Sequence, residues 1–401
     1  MSRPQKMLSM LSISTLLAMT VWFSASAVGP ALKLQWGYSS GQIAWLVMAV
    51  QLGFVLGTLL LAITNLADVL NTRHLFAVSA FLSALVNALF PVTSGNVPVG
   101  VFLRFLSGIF LAGIYPPGMK IMAGWFKSGR GFALGTLVGA LTIGSALPHL
   151  VGSFLQQQWQ ATILASSAFS VLAGLMVLLF VKDGPFNVPA QAFDFKYFIT
   201  ILKDRPTRLA YFGYFGHMWE LYAMWTWIPL FLLTDSKVYQ NHTLSYSPGV
   251  AAFIVIAAGA AGCILYGLWA ERIGRSISTI TSMGISGFCC FVVGFLHFVH
   301  PLGLLLICTI WGLTVVADSA QFSTAASELC DPEYMGTVLT LQTSLGFLLT
   351  MISIRLVPYV QEIAGWGTAF SILGFGPILG IVAMARLRRL PEAARMANGN
   401  R

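Results

Sequence analysis

The segment Gly216-His217-Met218-Trp219-Glu220-Leu221-Tyr222-Ala223-Met224-Trp225-Thr226-Trp227 sets a carboxylate and an imidazole inside an otherwise apolar stretch. An ionisable side chain in hydrocarbon is costly to keep, which marks it as a functional candidate. A carboxyl withdrawn from water holds a proton more readily, as a group that takes up and releases protons must. His217 precedes Glu220 by three positions, the spacing of neighbours on one helical face. The expectation is a pair that carries a proton or holds it against a bound ion; a static tether of the helix is the alternative.

Few other ionisable residues fall within apolar runs: Arg104, Lys120, His149, Asp318 and Arg355. An arginine keeps its charge, so Arg104 needs a permanent partner: Asp318, backbone carbonyls or a bound anion. Lys120 and Arg355 lie nearer the ends of their runs, where they can reach an aqueous surface instead. Three basic groups against two acidic ones favour an anion as ligand. Trp219 and Tyr222 stand at mid-depth, with Trp22 and Gln51 at similar depth in earlier runs, whereas Trp225 and Trp227 fit an interfacial aromatic belt. Ring faces beside an acid would instead suit a cation or an aromatic solute.

What positions these residues is a membrane. The chain has 401 residues, of which 57% are hydrophobic and 9% charged, whereas soluble domains carry about a quarter charged residues. Apolar runs long enough to cross about 30 Å of hydrocarbon as helices are expected near 8–30, 40–63, 75–93, 98–122, 131–152, 159–181, 208–233, 248–269, 277–299, 302–325, 336–358 and 366–386. These are continuous rather than alternating, which excludes a β-barrel. The fold class is therefore an all-α membrane protein of twelve spans. The first run imitates a secretory signal at Ala25-Ser26-Ala27, but with so many spans behind it reads as an uncleaved helix.

Lysine and arginine are retained in short cytoplasmic loops. With the N-terminus inside, the outer loops hold only Lys33 and Lys237, so both termini are expected in the cytoplasm of a bacterial inner membrane. This bias and anionic lipid account for the net charge of +9 without nucleic acid. Cys263, Cys289, Cys290, Cys308 and Cys330 have neither metal-ligand spacing nor outer-loop pairing, and read as buried thiols. No phosphate-binding loop is present, so ATP does not drive the protein directly. No cofactor, metal or enzymatic chemistry is expected, and the chain reads as a monomer.

The longest polar stretch divides residues 1–181 from 208–401. Within that linker, 182–207, the piece from Phe193 to Lys203 mixes aromatic and charged residues and reads as an amphipathic helix on the inner surface. A repeat supports the division. Thr64-Asn65-Leu66-Ala67-Asp68-Val69-Leu70-Asn71-Thr72-Arg73 follows the second run, and Gly267-Leu268-Trp269-Ala270-Glu271-Arg272-Ile273-Gly274-Arg275 follows the eighth. Parallel repeats of this kind build many secondary transporters, with the substrate site at the midplane between the halves.

These loops resemble the signature Gly-x-Leu-Ala-Asp-Arg-x-Gly-Arg-Arg of the major facilitator superfamily. Gly267, Ala270, Glu271, Arg272, Gly274 and Arg275 match it well; the first copy keeps Leu66, Ala67, Asp68 and Arg73 but carries Thr64, Val69, Asn71 and Thr72 in place of Gly, Arg, Gly and Arg. Arg104-Phe105-Leu106-Ser107-Gly108, with Ala112-Gly113, is similar to the family's fourth-span element. The stretch from Ala317 through Asp318 and Gln321 to Phe322, with the seventh run, looks like a bacterial branch grouped with nitrate or small-anion carriers. The second and eighth runs hold no arginine, which argues against nitrate itself. The resemblance implies two six-helix bundles and alternating access. It makes Asp68, Arg73, Gly267, Glu271, Arg272 and Arg275 candidate gate residues, where an acid at the end of a span pairs with an arginine of a neighbouring helix. Gly53 and Gly57, then Gly131, Gly135 and Gly139, give small faces for close helix approach.

Three functions compete. In the first, Arg104, with Lys120 or Arg355, binds a small organic or inorganic anion while Glu220 and His217 handle a proton. In the second, Glu220, Asp318 and the aromatic wall take a cationic or amphipathic compound in exchange for protons. The third, a non-transporting receptor or scaffold, would be expected to carry a substantial extramembrane domain.

Overall fold

Helix starts in this chain are written by capping chemistry. Ser39 and Gln42 cap one another at the start of Ser40–Ile63, the Asn71 side chain accepts from Arg73 and His74 N–H, and Asn96 accepts from Val99 N–H just before a proline-led turn. The computed structural model describes residues 2–93, 95–126, 130–155, 158–186, 203–238, 247–296, 300–331 and 334–400; the amphipathic helix expected at 193–203 lies, but for Lys203, outside the described residues.

The described elements are helices throughout. Ten segments are long and apolar enough to cross a membrane; Met335–Arg388 among them holds two spans, and Arg205–Val238, whose many aromatic and polar residues lower its hydropathy, completes twelve. The eleventh and twelfth spans part at Gly365, whose φ of 77° is open to glycine at little cost. Three spans expected to be continuous are broken. The first divides into Arg3–Ala27 and Gly29–Trp36, the fourth into Val97–Ala112 and Tyr115–Ala123, and the tenth into Pro301–Val315 and Ser319–Leu329. The fourth and tenth break at equivalent places in the two halves.

The same equivalence governs packing. A Cβ on Gly108 would lie 2.0 Å from the Val50 carbonyl oxygen, and one on Gly312 would lie 1.8 Å from that of Val255. Backbones thus touch where the second span crosses the fourth and the eighth (Pro248–Ile273) crosses the tenth. Gly53 and Gly57 serve the first crossing, against Phe105 and Ile109 backbone. The two halves meet where the fifth span (Arg130–Leu155) runs along the eighth, with Gly139 against Ala260 and Gly135 against Cys263. They meet again where the second runs along the eleventh. Gly131 lies outside the residues whose side-chain surroundings are described.

Candidate functional site

Glu220 is fully buried in the seventh span (Arg205–Val238) and turns into its own half of the molecule. Trp311 Nε1 donates to its Oε1 at 2.5 Å, Cys290 Sγ to the same oxygen at 3.2 Å, and Ser286 Oγ to Oε2 at 2.9 Å. These partners come from the ninth span (Arg275–Val292) and the outer piece of the tenth. All three are neutral donors.

The expected Glu220–His217 pair does not form. His217 Nδ1 lies 2.8 Å from Asp318 Oδ1 across to the tenth span. Three residues of helix turn the two side chains toward different neighbours, because the ninth and tenth spans both pack on this face. His217 Nε2 is buried without a partner, and both Asp318 oxygens lack an aligned hydrogen-bond donor despite the short contact. Asp318 sits at the break of the tenth span, where Ala317 N–H closes on Thr314 O and Ser319 N–H on Val316 O. Interrupted helices at mid-depth are where transporters of repeated topology hold ions and solutes. His149 of the fifth span is likewise buried with Nε2 unpartnered.

Arg104 chooses backbone carbonyls. Its Nη2 donates to Val21 O at 2.9 Å and Trp22 O at 2.6 Å, and its Nη1 to Asn87 Oδ1 at 2.8 Å and Ser24 Oγ at 3.3 Å. Asn87 in turn donates to Ile163 O and Ser167 Oγ. The guanidinium thus fastens the first, third, fourth and sixth spans together. Its fork is taken by these neutral acceptors and not by Asp318, so of the partners expected for it the structure shows backbone carbonyls, and Arg104 stands here as a lock within its half rather than as the expected anion ligand. Both carbonyls belong to the helix Arg3–Ala27, and that of Val21 also accepts from Ser24 Oγ at 2.9 Å.

Trp22, Gln51 and Tyr222 do come together. Trp22 contacts Phe54 (ring centroids 4.8 Å apart), Phe347 (5.5 Å) and Tyr222 (5.9 Å), and Tyr222 contacts Phe347 at 4.8 Å and Trp225 at 5.6 Å. One turn outward, Thr350 Oγ1 donates to Gln51 Oε1 at 2.6 Å. This aromatic layer joins the first and second spans to the seventh and eleventh, across the boundary between the halves. Trp22 Nε1, Gln51 Nε2 and Trp225 Nε1 are all buried and unpartnered. Farther out, Ser26 Oγ reaches Thr226 O at 3.5 Å, and the exposed Arg355 lies over Gly41, so the halves also touch on the outer side of the layer.

Other expected residues stand elsewhere. Trp219 donates from Nε1 to Ile372 O and packs on Gly376, facing the twelfth span rather than the centre. Lys120 is half-buried near the C-terminal end of the fourth span. Gln321 accepts from Arg275 Nη1 at 2.9 Å and so belongs to the loop network, not the aromatic layer. In that network Arg275 Nη2 reaches Glu271 at 2.9 Å and Glu328 at 3.1 Å, with Gln321 beneath Gly267 and Arg272 exposed to one side. Glu328 also accepts from Ala397 N–H, and Asn400 donates to Glu271 O, so the C-terminal turn Pro391–Gly399 folds back on the cluster. Arg73 ties the start of the third span to the end of the sixth, through Asp183 at 3.4 Å and Val181 O at 2.8 Å. The Asp68 side chain lies outside the described residues. These ion pairs bind helices of one half to each other.

Sequence reasoning missed Trp311, Ser286 and Cys290 around Glu220, Asn87 beside Arg104, and Glu328. It also set Trp225 in an interfacial belt. A mid-span asparagine and indoles away from span ends were the available signals, since each must find a partner when buried. Among the described residues, no cluster of three His, Cys, Asp or Glu could hold a metal.

Comparison with known proteins decides the family. The sequence pattern of the Major Facilitator Superfamily matches residues 11–354. The chain belongs to the Major Facilitator Superfamily. This member is similar to the glycerol-3-phosphate transporter of Bacillus subtilis (strain 168), 23% identical over 386 residues that cover 87% of this chain and 84% of that one. Its fold matches the crystal structure of the human organic anion transporter MFSD10 (TETRAN), with a TM-score of 0.70 at 16% identity over 96% of this chain and 100% of that one. Family and relatives make the chain a multi-pass membrane transporter of small molecules rather than an enzyme.

Proposed function

We propose that this member is a proton-coupled secondary transporter that carries a small organic anion across a bacterial inner membrane by alternating access, with both termini in the cytoplasm. The observation that carries the reading is the pairing of two features at mid-depth. One is a layer of unpartnered N–H donors between the halves. The other is a set of buried acids beside it, in which Glu220 has three neutral donors and no cation among its described contacts. A carboxylate so held sheds its charge at least cost by taking a proton. Glu220 and the His217–Asp318 contact are the coupling groups in this reading. Solute binds where Trp22, Gln51 and Tyr222 meet. The two named relatives are carriers of anions, and donors without acceptors favour such a solute.

Asp68, Arg73, Gly267, Glu271, Arg272 and Arg275 act in this reading by keeping the inner ends of each half rigid, so that the halves rock as units. Lys120 and Arg355 stand at the inner and outer mouths, where they attract anions over a distance.

The test is Glu220→Gln in proteoliposomes, after a transported anion has been found by ligand-dependent thermal stabilisation. The variant should lose uptake or efflux driven by an imposed pH gradient while keeping solute counterflow. Gradient-driven transport at the native rate would end the proposal for Glu220.

A further inference from the structure

The unpartnered donors of the central layer say more than that a solute binds there. The geometry points to a monocarboxylate with a flat apolar body as the solute class, held by Trp22 Nε1, Gln51 Nε2 and Trp225 Nε1 against the rings of Tyr222 and Phe347. This rests on the reading of the layer as the transport site.

The donors belong to one layer. Trp22 and Trp225 both contact the ring of Tyr222, at 5.9 Å and 5.6 Å. Gln51 stands one helical turn from Phe54, which is 4.8 Å from Trp22, and its bond to Thr350 fixes the amide one turn outward of Phe347. Each donor is buried without an acceptor. Leaving such a group unmade in a core costs about 1–3 kcal/mol, so three in one layer favour a ligand that brings acceptors. Of the side-chain acceptors nearby, Gln51 Oε1 is already taken by Thr350 and the Glu220 carboxylate by three donors of its own half. An ammonium would gain nothing from the three open N–H groups.

Charge separates a carboxylate from a phosphate. A dianion is best bound by a fork of charged donors, and the fork of Arg104 is spent on Val21 O, Trp22 O, Asn87 and Ser24. Yet Arg104 is not silent. It grips the carbonyl of Trp22 itself at 2.6 Å, which sets a fixed positive charge behind the residue whose indole N–H is open. The layer therefore offers neutral donors with one fixed positive charge behind Trp22, sufficient for one delocalised negative charge. Two oxygens of a carboxylate supply about four acceptor positions, enough for three N–H groups. The walls supply the rest of the selection. Trp22 and Phe54 belong to one half, Tyr222 and Phe347 to the other, so separation of the halves opens a slot between ring faces that suits a planar body.

A matched panel tests the class: 4-hydroxybenzoate, 4-hydroxybenzyl alcohol, tyramine and phenyl phosphate, with binding to the purified full chain followed by titration calorimetry. 4-Hydroxybenzoate should bind tightest. Trp22→Phe and Trp225→Phe keep a ring and delete an N–H that bonds nothing in the protein, so both should fold as the native chain does. Each should weaken the carboxylate about tenfold, and more than it weakens the alcohol. Gln51→Glu should abolish carboxylate binding. The class is overturned if phenyl phosphate or tyramine binds tighter, if no carboxylate binds, or if both phenylalanine variants bind it as the native protein does. Counterflow of labelled 4-hydroxybenzoate into proteoliposomes is measured alongside, against protein-free vesicles. Selective binding without counterflow would leave the class standing and remove the transport reading of this layer.

Discussion

Replacing Arg104 by glutamine separates a lock from a ligand. The native guanidinium makes four buried hydrogen bonds, at 2.6, 2.8, 2.9 and 3.3 Å, to the first and third spans. Removing one partner of a buried charged network costs about 3–5 kcal/mol. A glutamine amide can regain one neutral bond, to Asn87 or to a carbonyl, and so return about 1 kcal/mol. The expected net loss is about 2–4 kcal/mol, or about 30- to 700-fold in the folding equilibrium. Arg104→Lys should recover little, because one ammonium cannot span Val21 O, Trp22 O and Asn87 Oδ1 as a planar fork does. Unfolding of the detergent-solubilised protein by graded addition of a denaturing surfactant, followed by tryptophan fluorescence, reads the difference. Carboxylate affinity in the folded fraction should fall only modestly, through the weakened field at Trp22. If the glutamine variant unfolds at the native denaturant concentration and has lost all anion binding, the guanidinium is a direct ligand and the reasoning fails.

Gly312→Ala should block accumulation of folded protein, since the new Cβ would meet the Val255 carbonyl oxygen at 1.8 Å, whereas Gly284→Ala, with nothing within 4 Å, should accumulate normally; size-exclusion profiles after mild solubilisation compare the two. Arg275→Ala should cost only about 1 kcal/mol, because Glu271 and Glu328 are partly solvated, but should loosen the C-terminal turn that Glu328 holds through Ala397 N–H. The loosening is read as faster maleimide labelling of a cysteine introduced by Met396→Cys, a buried position in the native protein; unchanged labelling would show that the turn is held by its apolar contacts alone.

Spans were legible because hydrocarbon enforces one requirement, an uninterrupted apolar helix, on every crossing segment. The repeat was legible too, since Glu271 and Arg275 keep the family spacing and the structure joins them at 2.9 Å. Breaks were harder to see. Neither Val28 nor the stretch Val316 to Asp318 contains a proline, and the break at Asp318 depends on how its neighbours pack. Site residues divided along the same line. Glu220 was found because a charge in a span stands out in any sequence. Trp311, Ser286 and Cys290 were not, because a serine, a thiol and an indole in a span are ordinary until something shows which carboxylate they face. The His217–Glu220 pairing failed for a related reason: spacing along one helix gives a shared face, but neighbouring helices decide which partner each side chain takes. Arg104 shows the converse, a conspicuous charge satisfied by carbonyls that no sequence pattern displays.

The interrupted tenth span works as a fulcrum with unequal arms. Its outer arm, Pro301–Val315, carries Trp311 and so holds Glu220. The inner arm, Ser319–Leu329, is gripped through Gln321 and Glu328 by Arg275, and beyond it by the C-terminal turn. Asp318 is the pivot, beside His217. Displacing the piece Ser319–Leu329 would move Asp318 relative to the imidazole of His217, whereas displacing Pro301–Val315 would move the indole of Trp311 relative to Glu220. The two acids thus lean on different pieces of one broken helix.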